Sequence, residues 1–374
     1  MSPPSPHRIN AAELREVALP FREPFRTAAG AHAERRLLLV RLESDGATGW
    51  GECGPIPGYS VDTLDGARRH LGTALPMLVG TPLGDPGLTV GHLPRGTPPT
   101  ARFAVDSAAL DLVSRLRGIP ARHLLGGEDE AIPIGAVIGI GPPEVVVAAA
   151  RAAADDDFAR IKLKAAGPID LDTLRAVRKA LPDAVLAVDG NGAFTADHLP
   201  LLAGLDDLHL AFIEQPFPAQ DLATSARLAA AAATPVCLDE SITTPDTVRH
   251  ALAAGAGSII NLKPARFGGF AAALDALDLA RAAGAGTWIG GMLESGIGRA
   301  AALALAAVPG TTHAADLAPP DRLLGADLVA TRWIVCDGGI SRPTGPGLGF
   351  EIDLDALQRA TINVERAEEA RSPS

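Results

Sequence analysis

The chain has 374 residues, 47% of them hydrophobic and 21% charged, a globular balance on a length that exceeds one ordinary domain. A net charge of −11 leaves no basic stripe to neutralise phosphates, which excludes nucleic acid as the expected partner. No stretch reaches the ~18 apolar residues of a membrane span, MSPPSPHRIN has no apolar signal-peptide core, and Cys53, Cys237 and Cys336 stand apart without a CxxC pairing. Free buried thiols in a reducing cytoplasm are therefore expected.

In chain order, residues 1–7 read as a frayed tail and Ala11 begins a strand pattern. Arg35–Ser44 is an apolar run, and Gly46–Pro55 follows a Ser-Asp-Gly turn signal, which predicts a hairpin with AELREVALP as a further partner. Between them, Pro20–Glu34 has no period and reads as a surface connection or a mobile lid. Helical patterns cover Asp62–Val79 and Thr100–Leu116, the latter with Ala101, Val105, Ala108, Leu112 and Leu116 on one face. This α+β segment, residues 8–130, is the expected first domain.

A different pattern occupies residues 131–322. Short apolar runs that end in charge alternate with helical segments, and from Lys164 to Asp189, Glu214, Asp239 and Lys263 the steps are 25, 25, 25 and 24 residues. Such a repeat means one supersecondary unit used again and again, here a βα unit of a parallel barrel. Strand one is placed at Ile132–Ile140, strand seven at Gly286–Glu294 and strand eight at Thr311–Ala318. The fold class expected is α/β, a modified (β/α)7β-type barrel, with an N-terminal α+β capping domain. Residues 323–368 return to the cap, Leu323–Glu351 as short strands and turns, and ERAEEARSPS ends the chain as a charged tail.

Catalytic groups of such barrels sit at the C-terminal ends of the strands. Asp189, Glu214 and Asp239 arrive there on adjacent strands, and three carboxylates so close repel unless a cation lies between them. Hard oxygen donors without His or Cys favour Mg2+ over Zn2+, and Mn2+ can substitute. Asn191 and Glu240 follow the ligands as supporting or lip residues. Lys162 and Lys164 are two apart and share one side of their strand, pointing inward, while Lys263 lies across the barrel. A carboxylate substrate held between Lys164 and Lys263 would present its α-carbon to an amine on each face, for proton removal through a metal-stabilised enolate. Ordinary salt bridges around a barrel mouth are the minority alternative. The histidines mostly miss the strand ends, and His313 reads as a buried or loop residue. No GxGxxG stands in dinucleotide-binding context.

KLK, VDGN, IEQP, LDES, NLKPARFGG and GGMLESGIGRA, in this order and spacing, resemble the enolase superfamily, whose members pair a Lys or His base with Mg2+. Lysines on strands two and six resemble its muconate-lactonising subgroup. GGMLESGIGRA and PTGPGLGFEID resemble the o-succinylbenzoate synthase and N-acylamino acid (N-succinylamino acid) racemase family, and PFRTAAGAHAERRLLLVRL with GWGECGP resembles that family's cap. The resemblance implies that Asp189, Glu214 and Asp239 bind Mg2+, that Lys164 takes the α-proton, and that Lys162 supports it. Lys263 would be the opposite-face acid/base of a racemase or a stabilising cation in the synthase. Phe25, Arg26 and Thr27 fall in one specificity loop and Ile56 and Tyr59 in another. Met292, Glu294, Ser295 and Gly296 line the end of strand seven, as substrate contacts or as plain barrel rim. The leading expectation is o-succinylbenzoate synthase, a dehydration in menaquinone biosynthesis. Racemisation of N-acylamino acids is the alternative, and a non-catalytic ligand-binding barrel a distant third. A small carboxylate is the expected partner, and a homo-oligomer is implied. The sequence departs from many relatives after strand eight, where HAADLAPPDRLLG lacks both a Gly-Asp turn and the Asp-x-Asp of dipeptide epimerases.

Overall fold

The computed structural model describes residues 7–27, 30–85, 87–341 and 344–368, without the side chains of Arg26 and Thr27. Of the expected tail, residues 1–6 lie outside this description. His7 does not fray, because its carbonyl accepts from Leu83 N at 2.8 Å.

The chain opens with β1 (Ala11–Thr27), β2 (Gly30–Ser44) and β3 (Ala47–Cys53), joined antiparallel. Asp45 and Gly46 both have positive φ, 47° and 79°, the turn whose twist suits a two-residue hairpin. The described residues of segment 20–34, expected as a connection or lid, belong to the outer end of the β1–β2 hairpin. Pairing runs to Pro20–Glu34, breaks, and resumes at Phe25–His32. Pro20 and Pro24 lack the N–H that a continuous ladder needs, which explains both the break and the missing period in the sequence.

Helices α1 (Leu64–Leu78) and α2 (Pro99–Arg117) cover this sheet, followed by the short α3 (Ala121–Leu124). Of the predicted face of α2, Ala101, Val105, Ala108 and Leu112 are buried and Leu116 half-buried, and burial extends to nearly every residue from Thr100 to Ser114. The reason lies on β3, where a Cβ at Gly49 would stand 2.2 Å from Ala108 O and one at Gly51 1.9 Å from Ala104 O. Glycines therefore let α2 press its backbone onto the sheet, while its other side meets the barrel. Two buried acids fasten it there: Asp106 accepts from Phe270 N at 2.7 Å, and Asp111 accepts from Trp50 N at 3.0 Å and Leu348 N at 2.7 Å.

The barrel follows as β4 (Ile132–Pro133), β5 (Gly135–Ile138), α4 (Pro143–Asp155), β6 (Arg160–Lys164), α5 (Pro168–Ala180), β7 (Leu186–Asp189), α6 (Leu199–Ala203), β8 (Ile213–Glu214), α7 (Leu222–Ala231), β9 (Val236–Leu238), α8 (Pro245–Ala253), β10 (Ile259–Leu262), α9 (Pro264–Phe267), α10 (Phe270–Ala282), β11 (Gly286–Ile289) and α11 (Gly296–Ala306). Strands β5 to β11 form one parallel sheet in sequential order. The eighth strand expected at Thr311–Ala318 is reduced to two bridges, Ala315 to Ile134 and Asp316 to Gly290. They still close the ring between its first and last strands. The segment lacks an apolar run to pay for a longer ladder, and Pro319 and Pro320 end it.

Strands β12 (Val335–Cys336) and β13 (Gly339–Ile340) pair with β4 beneath the barrel. After α12 (Leu354–Ala360), β14 (Thr361–Glu368) adds itself to β1 as the fourth strand of the cap sheet. The expected charged tail is thus strand as far as Glu368. Its charges hide the pattern because they pair with cap residues, Glu365 with Arg68 and Arg366 with Glu43. The thiols are free, with Cys53 and Cys237 buried and Cys336 exposed, contrary to the expectation for the last. No helix of the described residues is long and apolar enough to cross a membrane.

Candidate active site

The periodic charges meet at the C-terminal mouth. Lys164 ends β6, Asp189 ends β7, Glu214 ends β8, Asp239 follows β9 and Lys263 follows β10. Because these strands are neighbours in this order, the three carboxylates lie between the two lysines. Lys164 Nζ donates to Asp189 Oδ2 at 2.6 Å and to Asn191 Oδ1 at 2.7 Å. Lys162, one layer deeper, donates to Glu214 Oε2 at 2.6 Å and lies 3.2 Å from Asp189. Lys263 Nζ donates to Asp239 Oδ2 at 2.8 Å. Gly290 leaves room for it, since a Cβ there would stand 2.6 Å from Lys263 Cε.

The cap contributes Tyr59. The Ile56 carbonyl accepts from Tyr59 N at 3.1 Å and Ser60 N at 2.9 Å, a turn that carries the ring to the barrel mouth. The Tyr59 hydroxyl donates to Asp239 Oδ2 at 2.7 Å and accepts from Lys263 and Arg266, whose charges lie 4.8 and 4.9 Å from the ring centre. Phe25 is half-buried and stacks on Phe21 with centroids 5.5 Å apart. The side chains of Arg26 and Thr27 lie outside the described residues.

The end of β11 is bound into the frame. Met292 N donates to Glu294 Oε1 at 2.6 Å, Arg299 reaches Glu294 Oε2 at 3.1 Å, and Gly296 N donates to Asp327 Oδ1 at 2.8 Å. The Ser295 hydroxyl donates to Glu52 of β3. Asn191, Gln215 and Leu293 hold positive φ of 42°, 33° and 61° around the mouth, backbone strain of the kind that gathers at functional sites.

Burial opposes the charge of Asp189, but Lys164 and Lys162 outweigh it and hold its pKa below the ordinary value. Arg266 and Lys263 do the same, more strongly, for Asp239. Glu214 goes the other way: burial and then the neighbouring Asp189 push it up to about 8 in spite of Lys162. Burial and Asp239 raise Glu240 to about 7. Lys162 was expected to support Lys164; Asp316, Glu214 and Asp189 outweigh its burial and hold it firmly charged.

Among the described residues no three His, Cys, Asp or Glu side chains are gathered ready for an ion, because each carboxylate is turned to a cation of the chain. The donor chemistry nevertheless fits a hard divalent cation. The three strand-end groups are all carboxylates, burial and then a neighbouring aspartate raise the pKa of Glu214 among them and of Glu240 beside them, and Glu240 Oε2 is buried without a partner. Sequence reading missed Arg266, which donates to Asp239 Oδ1 at 2.6 Å, and Asn261, which donates to Glu214 Oε1 at 2.8 Å. It also missed Gln215, whose Oε1 accepts from Asp239 N at 2.9 Å. All three lie next to or near a charged strand end in the sequence, and that adjacency was the available signal.

Residues 144–356 match the family model for the enolase C-terminal domain-like fold, and residues 9–126 match that for the mandelate racemase / muconate lactonizing enzyme N-terminal domain. An N-succinylamino acid racemase of Thermus thermophilus is 38% identical over 95% of this chain and 98% of its own. An o-succinylbenzoate synthase of Bacillus subtilis is 32% identical over 96% and 98%. A crystal structure of an enolase superfamily member from Listeria innocua superposes with a TM-score of 0.91 at 30% identity, covering 97% of this chain and 99% of that one. With cap and barrel both matched across nearly its whole length, the chain belongs to the enolase superfamily, in the branch of mandelate racemase and muconate lactonizing enzyme.

Proposed function

We propose that this site removes the proton α to a carboxylate on a substrate that bears a succinyl group, with o-succinylbenzoate synthesis as the leading outcome. The observation that carries the reading is the order Lys164, Asp189, Glu214, Asp239, Lys263 along consecutive strand ends. The succinyl group is what the names of the two kinds of relatives share. Asp189, Glu214 and Asp239 would hold Mg2+, or Mn2+ in its place, which supplies positive charge to the substrate carboxylate as the proton leaves.

The protein's own groups do the rest. Lys164, aimed by Asn191, takes the α-proton once its amine is free. Lys162 keeps its charge beneath Asp189 and Glu214 and stops them from spreading apart. In the dehydration the electron pair left by the proton expels the β-hydroxyl, which departs as water after protonation. In racemisation the proton returns from the other face, from Lys263. A specific observation favours that second reading: an amine flanks the carboxylates on each side, and the Thermus thermophilus relative is a racemase. The partner is a small carboxylate, and we place the enzyme in the cytoplasm as a homo-oligomer.

The test is proton exchange in D2O with Mg2+, followed by NMR, on N-succinylamino acids of both hands and on the synthase substrate in parallel. Lys164→Ala should abolish exchange at least about 100-fold, and Lys263→Ala should stop racemisation in both directions. Fast dehydration with slow exchange names a synthase, and the reverse names a racemase. Exchange that survives chelation and Lys164→Ala refutes the proposal, and no exchange by folded wild-type protein favours a non-catalytic barrel.

A further inference from the structure

Strand β6 carries three inward cations, at every second residue: Arg160 at the foot of the barrel, Lys162 in the middle and Lys164 at the mouth. The catalytic reading uses the upper two. Arg160 is 2% exposed, and its guanidinium lies 4.7 Å from the centre of Trp288 and 5.0 Å from that of Phe212. Its Nη2 donates to Asp316 at 2.5 Å, while Nε and Nη1 are buried without any partner. Buried donors are almost always paired, and aromatic rings are weak acceptors, so two idle N–H groups on one cation require a reason.

Arg160 also lines a cavity of about 290 Å3 at the foot of the barrel, away from the catalytic mouth. Ile132, Ala211 and Ile289 give it apolar walls, and Thr312 and His313 give it polar ones. Burial, then the Arg160 charge, holds His313 below its usual pKa, so Arg160 is the cation of this chamber. From here a chain of ion pairs runs upward through the core. Asp316 receives Arg160 on one oxygen and Lys162 at 2.5 Å on the other, and Lys162 in turn holds Glu214 and Asp189.

We propose that the foot cavity binds a small carboxylate, its oxygens on Arg160 and its short apolar body against Ile132 and Ile289, and that the occupant tunes the active-site carboxylates through Arg160, Asp316 and Lys162. A planar guanidinium fork matches a carboxylate, and a single cation in mostly apolar walls suits one negative charge better than a phosphate dianion. The bound carboxylate competes with Asp316 for Arg160. Asp316 then draws harder on Lys162, which loosens its hold on Glu214 and Asp189. Since Lys162 competes with any cation for those oxygens, a divalent ion there should bind more tightly, and by linkage the ion should tighten the carboxylate equally. This second half rests on the cation reading given above, and the first half does not.

The test uses the full chain, freed of metal, titrated with butyrate by calorimetry beside inorganic phosphate. Butyrate should bind wild type and Lys164→Ala alike and weaken at least about ten-fold in Ala314→Leu, which fills the cavity from its rim, and in Arg160→Lys. Ala211→Leu fills the same space from another wall, should either variant lose its circular dichroism signature. No butyrate binding, binding untouched by the filled cavity, binding lost in Lys164→Ala, or a preference for phosphate overturns the site. Titration with Mg2+ should then show about five-fold tighter binding at saturating butyrate. Unchanged Mg2+ affinity overturns the coupling alone, whereas no Mg2+ binding at all overturns the coupling and the cation reading and leaves the butyrate result standing.

Discussion

Glu52 joins the cap to the barrel, and replacing it by Gln should remove one pH dependence of stability. The side chain is 3% exposed on β3, and it accepts from Ser295 N at 3.2 Å, from the Ser295 hydroxyl and from Gly298 N at 3.3 Å, at the start of α11. Burial pushes its pKa from 4.5 up to about 7, with Glu294 adding to the rise and the Ser295 hydroxyl and Arg35 opposing it. Between these two values the folded protein holds a proton that the unfolded chain has released. The contribution to stability is therefore intact below pH 4.5 and declines as the pH rises to about 7. A shift of this size corresponds to roughly 3 kcal/mol. Glu52→Gln keeps the neutral shape at every pH. Urea unfolding of both proteins at pH 5, 6, 7 and 8 should show the variant gaining about 2.5 kcal/mol on wild type across the series, whatever other groups titrate in both. A difference that stays flat to within about 0.5 kcal/mol would refute the reasoning.

Two further outcomes follow from the ionic core. Glu214, raised to about 8, is largely protonated at neutral pH and Glu240, raised to about 7, is protonated in part, and a divalent cation needs them ionised. Mg2+ binding in weak buffer at pH 7 should release protons and tighten from pH 6 to 9, and binding without proton release would contradict the site. Asp316→Asn removes the shared counter-charge of Arg160 and Lys162 and should cost about 3–5 kcal/mol in urea unfolding. A loss under about 1 kcal/mol would mean that the two cations are compensated elsewhere.

The strand ends were legible because the barrel writes its repeat into the sequence: each apolar run stops where the chain emerges, and a charge stands there. Hence Lys164, Asp189 and Glu214 fall at the observed ends of β6, β7 and β8. What was illegible has physical causes as well. Two prolines broke the ladder of the β1–β2 hairpin and disguised a strand as a loop. Charge pairing with Arg68 and Glu43 let β14 look like a tail. Arg160 belonged to the same alternation as Lys162 and Lys164, but a cation at the foot of a barrel announces no chemistry until Trp288 and Asp316 are seen around it. Tyr59, the chain's single tyrosine, was placed near substrate by resemblance, and its bonds to Asp239 and Lys263 are visible only in three dimensions.

The site also explains why its two terminal lysines need a competitor. Arg160, Lys162, Lys164, Lys263 and Arg266 face Asp189, Glu214, Asp239, Glu240 and Asp316, a balance that lets every strand-end carboxylate find a cation of the chain. An amine that donates to Asp189 and Asn191, as Lys164 does, offers no lone pair to a C–H bond. To act as the proposed base Lys164 must leave those oxygens, and its side chain, 29% exposed against 5% for Lys162 and 9% for Lys263, is the one with water beside it to leave into. We predict that a divalent cation claiming Asp189 sets Lys164 free. Labelling with a small amine-directed reagent, read by peptide mass, should then modify Lys164 about ten-fold faster with Mg2+ than without, a preference of ~1.4 kcal/mol, while Lys162 stays protected. Equal labelling with and without Mg2+, or labelling of Lys162 first, would show that the amine is not held by the carboxylates in solution.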